Sequence, residues 1–224
     1  MNENRFINLI KKVIRLSIQS IDIIYFYIKS LSYKNNPKYK NMWLISERGD
    51  EAKDNAYVLF KYIRENYPYI NIHYLIDKSF EKDYEKIKDL GNIIEYNSKE
   101  HKIAFLLCDK VISTHIGFLE PWSYKLYKLI LDRKNNKKFV FLQHGIILHD
   151  VGDELNKKNT KIDLFITSTD REFKAINSSY GYSKGEVVQT GLARFDNLYN
   201  AKTKRQIVIM PTWRKDIVLS LIHI

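Results

Sequence analysis

Short apolar runs alternate with longer amphipathic stretches along most of the chain. The amphipathic stretches repeat apolar residues at helical spacing over residues 55–66, 80–90, 99–107, 122–132 and 171–180. The apolar runs have the length and composition of buried strands, and they cover residues 42–46, 72–76, 93–96, 110–113, 139–143, 164–167 and 187–189. Repeated strand–helix units predict an α/β fold with a mainly parallel, Rossmann-like sheet.

The segment before the first predicted strand has a different pattern. Residues 5–31 are rich in Ile, Leu, Phe and Tyr and predict a long amphipathic helix. Its charge-free runs, 16–21 and 23–28, are separated by Asp22 and fall short of the roughly 20 apolar residues that span a bilayer. A signal peptide is not expected either, because no small-residue cleavage site follows.

Charge is concentrated in the same segment. Residues 1–40 contain eight Lys and Arg against Glu3 and Asp22, and so carry +6 of the net charge of +11. A basic amphipathic helix is typical of an interfacial helix that binds anionic lipid. The alternative is a helix that packs on its own domain or on a dimer partner. No helix-turn-helix, RNA-binding or zinc-finger pattern accompanies the charge, so nucleic acid is not an expected partner.

The single cysteine, Cys108, excludes an internal disulfide and a multi-cysteine zinc site, and it fits a reducing cytoplasm. No G-x-G-x-x-G, P-loop or Asp-x-Asp sequence occurs. His149 and Asp150 could suggest a metal site, but no convincing third ligand lies near them. We therefore expect metal-independent chemistry without a cofactor.

Candidate chemistry lies at the end of a predicted strand. The apolar run 139–142 is followed by Gln143-His144-Gly145, and ligands of open α/β sheets bind at the carboxyl ends of strands. A histidine there can serve as acid or base near neutral pH, while Gly145 permits a sharp turn and close approach of a ligand. His115 follows an earlier strand in a similar arrangement. The alternative for both is a hydrogen-bonded structural histidine.

Four segments together resemble a known family. They are residues 48–57, which end in Asp54-Asn55-Ala56-Tyr57, the Gln143-His144-Gly145 turn, Thr-Gly-Leu-Ala-Arg-Phe-Asp at 190–196, and Pro-Thr-Trp-Arg at 211–214. Over about residues 43–214 the chain resembles the CDP-glycerol glycerophosphotransferases, which include teichoic-acid primases and polymerases and have a GT-B-like fold. The resemblance implies that the Rossmann-like sheet is the N-terminal half of a GT-B-like fold.

Roles for individual residues follow from the resemblance and from their own chemistry. The resemblance matches His144 to the histidine of the family's acceptor-domain loop and makes it the candidate general base. The similar arrangement of strand, histidine and nearby glycine at His115 predicts a supporting role for it. Arginines suit bidentate phosphate contacts. Asp196 is expected to position Arg194 or to cap a helix, and Asp54 with Asn55 to cap the helix that begins near residue 56. The predicted acceptor- and phosphate-binding residues are Arg48, Gly49, Asp54, Asn55, Gln143, Gly145, Arg194, Asp196 and Arg214.

Three regions are expected along the chain. Residues 1–40 form the interfacial helix and a linker, 41–203 the acceptor-side domain, and 204–224 the start of a second, donor-binding domain with a strand at 207–210. The chain ends ten residues past Arg214, so we expect a truncated C-terminus. In GT-B-like transferases the second domain holds most of the nucleotide donor. Little or no turnover is therefore expected from this chain alone.

The expected function is transfer of glycerol phosphate, or a related polyol phosphate, from a CDP donor to a polyprenyl-diphosphate-linked teichoic-acid or capsule precursor. The expected location is the cytoplasmic face of the cell membrane, as a peripheral protein on an anionic surface. Two alternatives remain open: a GT-B glycosyltransferase that uses a sugar nucleotide, and a non-catalytic module for acceptor binding or membrane docking.

Overall fold

The computed structural model describes residues 3–117, 119–131 and 137–198, together with residues 205 and 207. Within these ranges seven parallel strands form one sheet in the order β3-β2-β1-β4-β5-β6-β7. The strands are β1 (Trp43–Ser46), β2 (Ile72–Ile76), β3 (Ile93–Glu95), β4 (Lys110–Ser113), β5 (Lys138–Phe141), β6 (Leu164–Thr167) and β7 (Val187–Gln189). The predicted α/β class and parallel sheet are confirmed.

Helix α1 precedes the sheet in the chain, and helices cover both faces of the sheet. They are α1 (Glu3–Leu31), α2 (Asn55–Asn66), α3 (Glu81–Ile87), α4 (Lys99–Leu107), α5 (Tyr124–Leu131), α6 (Gly152–Leu155) and α7 (Asp170–Ser179). Short 3-10 turns lie at Pro37–Tyr39, Lys88–Leu90 and Ala193–Asn197. The sequence pattern did not predict α6 or the first and last of these turns, because each is only three to five residues long and carries no period.

The order of the strands places a topological switch point between β1 and β4. From β1 the chain moves outward to β2 and β3, then returns to β4 and continues to β7 on the other side. The connections after β1 and β4 therefore diverge and leave a crevice at the carboxyl ends of these two central strands, where open α/β sheets bind ligands. We call the ends of β1, β4 and β5, with the loops that follow them, the carboxyl edge.

Alternating side chains of the central strands pack in two separate layers. Leu44 belongs to the layer under α1, α4 and α5, and the next residue, Ile45, belongs to the layer under α2. Both side chains are fully buried. Burying both faces is the usual state of a parallel sheet covered by helices, and it holds the carboxyl edge on a rigid base. A third cluster, around Phe165, joins β6 to α6 and α7.

Helix α1 packs on the domain through only part of its length. Ile23 and Phe26 are buried against the layer under α4 and α5. Asp22 accepts hydrogen bonds from Trp122 Nε1 at 2.7 Å and Lys102 Nζ at 2.5 Å. Residues 7–15 are all exposed. In the part of the chain that the structure describes, no helix is long and apolar enough to cross a membrane.

Two predicted features fall partly or wholly outside the described residues. The predicted strand at 207–210 has only Ile207 among them, and that residue is not in a strand. Arg214, a predicted phosphate ligand, also lies outside.

Candidate active site

Two imidazole rings meet at the carboxyl edge. His115 follows β4 and His144 follows β5, and their rings stack with centroids 4.5 Å apart and planes 11° from parallel. Parallel strands carry their carboxyl ends to one edge of the sheet, so the loops of these neighbouring strands lie side by side. The structure thus brings together the two histidines that the sequence marked, at the switch point of the sheet.

His115 is held from both of its ring nitrogens. Arg48 Nε, from the loop after β1, donates a hydrogen bond of 3.1 Å to His115 Nε2, and Nδ1 lies 2.8 Å from Thr114 Oγ1. Partial burial, and after it the nearby His144 and Arg48, lower the pKa of His115 to about 4 against the smaller opposing effects of Asp54 and Glu51. This ring is therefore neutral at physiological pH.

His144 is the open member of the pair. Its side chain is exposed, and its Nδ1 lies 3.3 Å from the carbonyl oxygen of Thr114. The sharp turn that presents it comes from Gln143, which has a left-handed φ of 64°. We expected Gly145 to provide this turn. Instead, Gly145 has no positive φ, and a Cβ added there would meet open space.

A buried carboxylate fixes the unusual backbone at Gln143. Glu172, on α7, accepts hydrogen bonds from Gln143 Nε2 at 3.2 Å, Ile147 N at 2.9 Å and Ser168 N at 2.7 Å. Both Gln143 and Glu172 are 2% exposed. The carboxylate thereby ties the loops after β5 and β6 together. Gln143, which was predicted to bind a ligand, turns its side chain into the protein.

A second chain of contacts brings the 190–196 segment to the same edge. Asn55 Nδ2 donates to Gln143 O at 2.6 Å, and Asn55 Oδ1 accepts from Arg194 N at 3.0 Å. Arg194 Nη1 lies 2.9 Å from Asp54 Oδ1. Asp54 is also the N-cap of α2, as the capping interpretation expected. Three of the segments that carry the family resemblance are therefore joined by direct hydrogen bonds.

A buried glutamate that the sequence did not reveal supports the loop after β1. Glu47 is fully buried, and its carboxylate accepts from the backbone N–H groups of Asp54 at 2.5 Å and Lys53 at 3.1 Å. Burial raises the pKa of Glu47, and these hydrogen bonds oppose the rise. Ser113 Oγ also donates to Glu47 O at 3.2 Å, which joins the ends of β1 and β4.

The remaining predicted ligands differ in their surroundings. Gly49 has a φ of 90°, and a Cβ added there would come within 2.7 Å of the Tyr96 ring. Asp196 lies exposed in the last 3-10 turn. Among the residues that the structure describes, no group of three or more His, Cys, Asp or Glu side chains is arranged to hold a metal ion.

The sheet and its helices match solved structures of a GT-B-like transferase. The wall teichoic acid polymerase TagF aligns with a TM-score of 0.52 and 14% identity, over 88% of this chain and 49% of that one. A second TagF structure, described as soaked with CDPG, gives 0.52 and 13%, over 88% and 51%. At this identity the likeness establishes the fold.

The sequence comparison is more specific. Residues 27–223 match the model of the CDP-Glycerol:Poly(glycerophosphate) glycerophosphotransferase family, and the chain belongs to that family. It is 40% identical over 181 residues to the minor teichoic acid biosynthesis protein GgaB of Bacillus subtilis (strain 168), which covers 80% of this chain. The chain spans about a fifth of the length of GgaB and about half of TagF. The family predicted from four short segments is confirmed.

Proposed function

We propose that this chain is the acceptor side of an enzyme that transfers glycerol phosphate from CDP-glycerol to a lipid-linked teichoic-acid or capsule precursor. Family membership supports the donor and the group transferred, and GgaB supports the link to teichoic acid. The observation that carries the proposal is the stacked His115–His144 pair at the switch point, with Arg48 beside it.

The reaction joins an acceptor hydroxyl to phosphorus. The hydroxyl oxygen forms a bond to the phosphorus of the glycerol phosphate group, the bond from that phosphorus to CMP breaks, and the hydroxyl proton must be taken up. His144 is our candidate base because its side chain is exposed and, among the residues that the structure describes, only its Nδ1 has a hydrogen-bond partner. His115 supports the His144 ring by stacking against it.

Cationic groups at the same edge fit the phosphate chemistry. Phosphoryl transfer depends chiefly on positioning and on stabilising negative charge. Arg48 and Arg194 are both partly exposed, with side-chain exposures of 47% and 37%. Each is oriented by an acidic partner, Glu51 at 3.8 Å and Asp54 at 2.9 Å. We assign both to phosphate binding, with Arg214 as a third candidate from outside the described residues.

A transfer assay on anionic vesicles that carry a prenyl-diphosphate-linked acceptor tests this proposal. In the intact protein, His144→Ala should reduce kcat by roughly 100-fold or more, the usual effect of losing a general base. His149→Ala is the matched control, because His149 is an exposed histidine on the same loop outside the stacked pair. Full activity of His144→Ala would reject it as the base. Turnover of a sugar nucleotide but not of CDP-glycerol would reject the donor.

Two further expectations belong to the same assay. The 224-residue chain alone should show little turnover, because the donor is expected to bind mainly to the second domain. Transfer by the intact protein should survive a metal chelator such as EDTA, since we propose metal-independent chemistry. Robust turnover by the isolated chain, or loss of transfer on chelation that added Mg²⁺ restores, would contradict the respective expectation.

We also propose that α1 docks the protein on the cytoplasmic face of the membrane. Its isoleucines recur on the face opposite the one that packs on the domain. Ile7, Ile14, Ile21 and Ile28 are 44%, 53%, 69% and 62% exposed. Helical geometry places Lys11, Arg15 and Lys29 along one flank of this stripe. An apolar stripe with a basic flank suits the surface of an anionic bilayer.

Deletion of residues 1–34 tests the docking role. The shortened protein should no longer co-sediment with anionic vesicles, while binding of the full chain should weaken as salt screens the lysines and arginines. Unchanged co-sedimentation would reject α1 as the docking element. A shift of the full chain to a dimer without vesicle binding would assign the stripe to a second copy.

A further inference from the structure

A hollow lined by lysines lies at the amino ends of β5 and β6, at the opposite end of these strands from the carboxyl edge. It has about 250 Å³ of space that water-sized groups can enter. Among the described residues, its charged lining consists of Lys128, Lys137, Lys157 and Lys161 against one carboxylate, Asp163. A water molecule needs only about 10–15 Å³ of such space, so the hollow is large enough for a phosphate group.

The carboxylates at the hollow are each matched by one lysine. These ion pairs are Lys157–Glu186, Lys161–Glu120 and Lys138–Asp163. Because each pair cancels one positive and one negative charge, the three carboxylates do not balance the remaining lysines of the lining. The hollow therefore keeps a positive charge that suits an anion.

Lys137 is the buried part of this positive charge. It is 8% exposed, and its Nζ donates to Cys108 O at 2.9 Å and lies 5.2 Å from the centroid of the Phe105 ring. Over the described ranges of the chain, no carboxylate oxygen lies within ion-pair distance of this nitrogen. A buried ammonium without a counter-ion is costly. An anion in the hollow would supply the missing negative charge.

The hollow lies on the face of the sheet that α1 covers. Tyr127, which lines the hollow from α5, is buried in the same layer as Ile23 and Phe26 of α1. The residue before α5 also meets α1 directly, because Ser123 N donates to Gln19 Oε1 at 3.3 Å. A surface that α1 brings to the membrane would therefore include α5 and the hollow beside it.

The outer side of α5 resembles that of α1 in chemistry. Leu129 is 82% exposed, and Lys125 and Lys128 are exposed on the same helix. An exposed apolar side chain among lysines suits the surface of an anionic bilayer. Lys128 belongs both to this surface and to the lining of the hollow. The hollow thus opens next to a surface that fits lipid headgroups.

We propose that this hollow binds the phosphate group of an anionic membrane lipid, with Lys137 as its buried ligand and Lys128 at its mouth. The site itself rests on the geometry of the lysines, and the lipid as the source of the phosphate rests on the proposed docking of α1. Lysines bind phosphate as point charges, and one phosphate can accept from several of them. Tyr124 and Tyr127 line the hollow as well, and amphipathic aromatic rings are typical of the headgroup level of a membrane.

Dihexanoyl phosphatidic acid is a direct probe, because this short phospholipid dissolves as single molecules. In isothermal titration calorimetry the full chain should bind one molecule of it. Lys137→Met keeps the length of the side chain, removes its charge and should weaken binding by about tenfold or more, the usual effect of losing a hydrogen bond to a charged group. Lys82→Met is the matched control and should bind as wild type does. It removes an exposed cation from α3, which packs on the opposite face of the sheet through Ile87.

The fold of the Lys137→Met protein can be checked independently. Replacing a buried cation that lacks a carboxylate partner by an apolar side chain of similar length should leave the free energy of unfolding unchanged or raise it. Urea denaturation measures this change. Lys128→Met is the second variant, because Lys128 is exposed and its loss should not disturb folding. It should weaken binding several-fold. Wild-type affinity for the probe in either folded variant would overturn the site.

Inorganic phosphate distinguishes a lipid from a free anion. It should bind roughly tenfold or more weakly than dihexanoyl phosphatidic acid, because it lacks the glycerol and acyl groups that add apolar contact. Equal affinity for the two probes would overturn the assignment to a lipid.

Vesicle binding separates the hollow from the docking of α1. Lys137→Met should weaken co-sedimentation with phosphatidic acid vesicles without abolishing it, because α1 is unchanged. Lys137-dependent binding of the short lipid by a chain that does not bind vesicles would support the hollow and reject the docking of α1. Vesicle binding that is equal in the Lys137→Met and Lys82→Met proteins, with no binding of the short lipid, would reject the hollow and leave the docking of α1 in place.

Discussion

The carboxyl edge and the N-terminal half of α1 are opposite kinds of surface in one molecule. At the carboxyl edge, the buried Glu47 carboxylate accepts backbone N–H groups of the loop after β1, and the buried Glu172 carboxylate ties the loops after β5 and β6 together. Along α1, isoleucines such as Ile14 and Ile18 are 53% and 62% exposed. The first surface is held in place by the protein's own hydrogen bonds, and the second leaves apolar side chains exposed.

The difference matches what each surface is proposed to do. A base and its phosphate ligands need positions accurate to a fraction of an ångström, so their supports are buried and fully hydrogen-bonded. A lipid surface is fluid and needs no fixed geometry, so a helix with a continuous apolar stripe is sufficient. We therefore expect substitutions at the carboxyl edge to change stability and rate together. Substitutions in the α1 stripe should change only association.

The largest expected effect on stability is at Glu172. Glu172→Leu removes the acceptor of three hydrogen bonds, one from the buried Gln143 side chain and two from the partly buried N–H groups of Ile147 and Ser168. We expect the free energy of unfolding to fall by about 3–5 kcal/mol, since each unsatisfied buried donor costs roughly 1–3 kcal/mol. Urea denaturation followed by circular dichroism measures the change.

Asp170→Asn provides the control on the same helix, because its side chain is 67% exposed. It should change the free energy of unfolding by less than about 0.5 kcal/mol. A Glu172→Leu protein as stable as Asp170→Asn would show that the carboxyl edge does not depend on its buried carboxylate.

The next effect contrasts the two faces of α1. Ile23 is fully buried against the domain, whereas Ile21 is 69% exposed. Ile23→Ala should lower the free energy of unfolding by about 2–4 kcal/mol through lost burial and a cavity, and Ile21→Ala by less than about 0.5 kcal/mol. Because both substitutions are Ile→Ala and lie two residues apart on one helix, the change in helix propensity is the same in both proteins. Equal losses in thermal or urea unfolding would mean that the outer face is also packed.

How much of each region could be predicted from the sequence depends on whether its interactions are local or join residues far apart in the sequence. The strands and most helices were predicted to within about two residues, because apolar periodicity is a local signal that the sheet then uses directly. The exposed stripe of α1 was likewise visible as an amphipathic pattern. The meeting of His115 and His144 at one edge required only the parallel order of their strands.

The supports of the carboxyl edge could not be predicted in the same way. Thr169 and Glu172 have the T-x-x-E spacing of a capping box, and Thr169 does cap α7 by accepting from Glu172 N at 3.2 Å. The carboxylate of Glu172, however, turns to the loops after β5 and β6. Glu47 carries no local signal at all. Their roles depend on contacts over long sequence separations, which no single-sequence period contains.

A moderate, pH-dependent effect on the free energy of unfolding is expected from a buried histidine on α4. His101 is fully buried, and its Nε2 donates to Leu119 O at 2.9 Å while its Nδ1 accepts from Asn97 N at 3.1 Å. Burial lowers its pKa to about 4 against the opposing effect of the bond to Leu119 O. The unfolded chain therefore binds the proton first as pH falls from 6.5 towards 4, and stability is lost over that window.

Between pH 7 and pH 5 this histidine should reduce the free energy of unfolding by about 2 kcal/mol. Urea titrations at the two pH values measure the loss, and His101→Gln should flatten that part of the pH dependence. His149→Gln is the matched control, since His149 is exposed. A pH dependence identical in the His101→Gln and His149→Gln proteins would assign the acid sensitivity elsewhere, with buried His73 as the next candidate.

The smallest expected effect on stability tests the outer surface most sharply. Replacing Ile14 and Ile18 together by Ser removes two exposed isoleucines, 53% and 62% accessible. Ile14 belongs to the stripe, and Ile18 lies beside it about one turn further along the helix. The free energy of unfolding should change by less than about 1 kcal/mol, the sum expected for two surface positions. Co-sedimentation with anionic vesicles should nevertheless fall several-fold, because burial of apolar side chains in the interface drives such binding. Lys61→Ser on α2 is the control for a surface substitution away from α1, and it should leave vesicle binding almost unchanged. If the double variant bound vesicles as wild type does, the stripe would not be a lipid surface, and the contrast with the carboxyl edge would rest on stability alone.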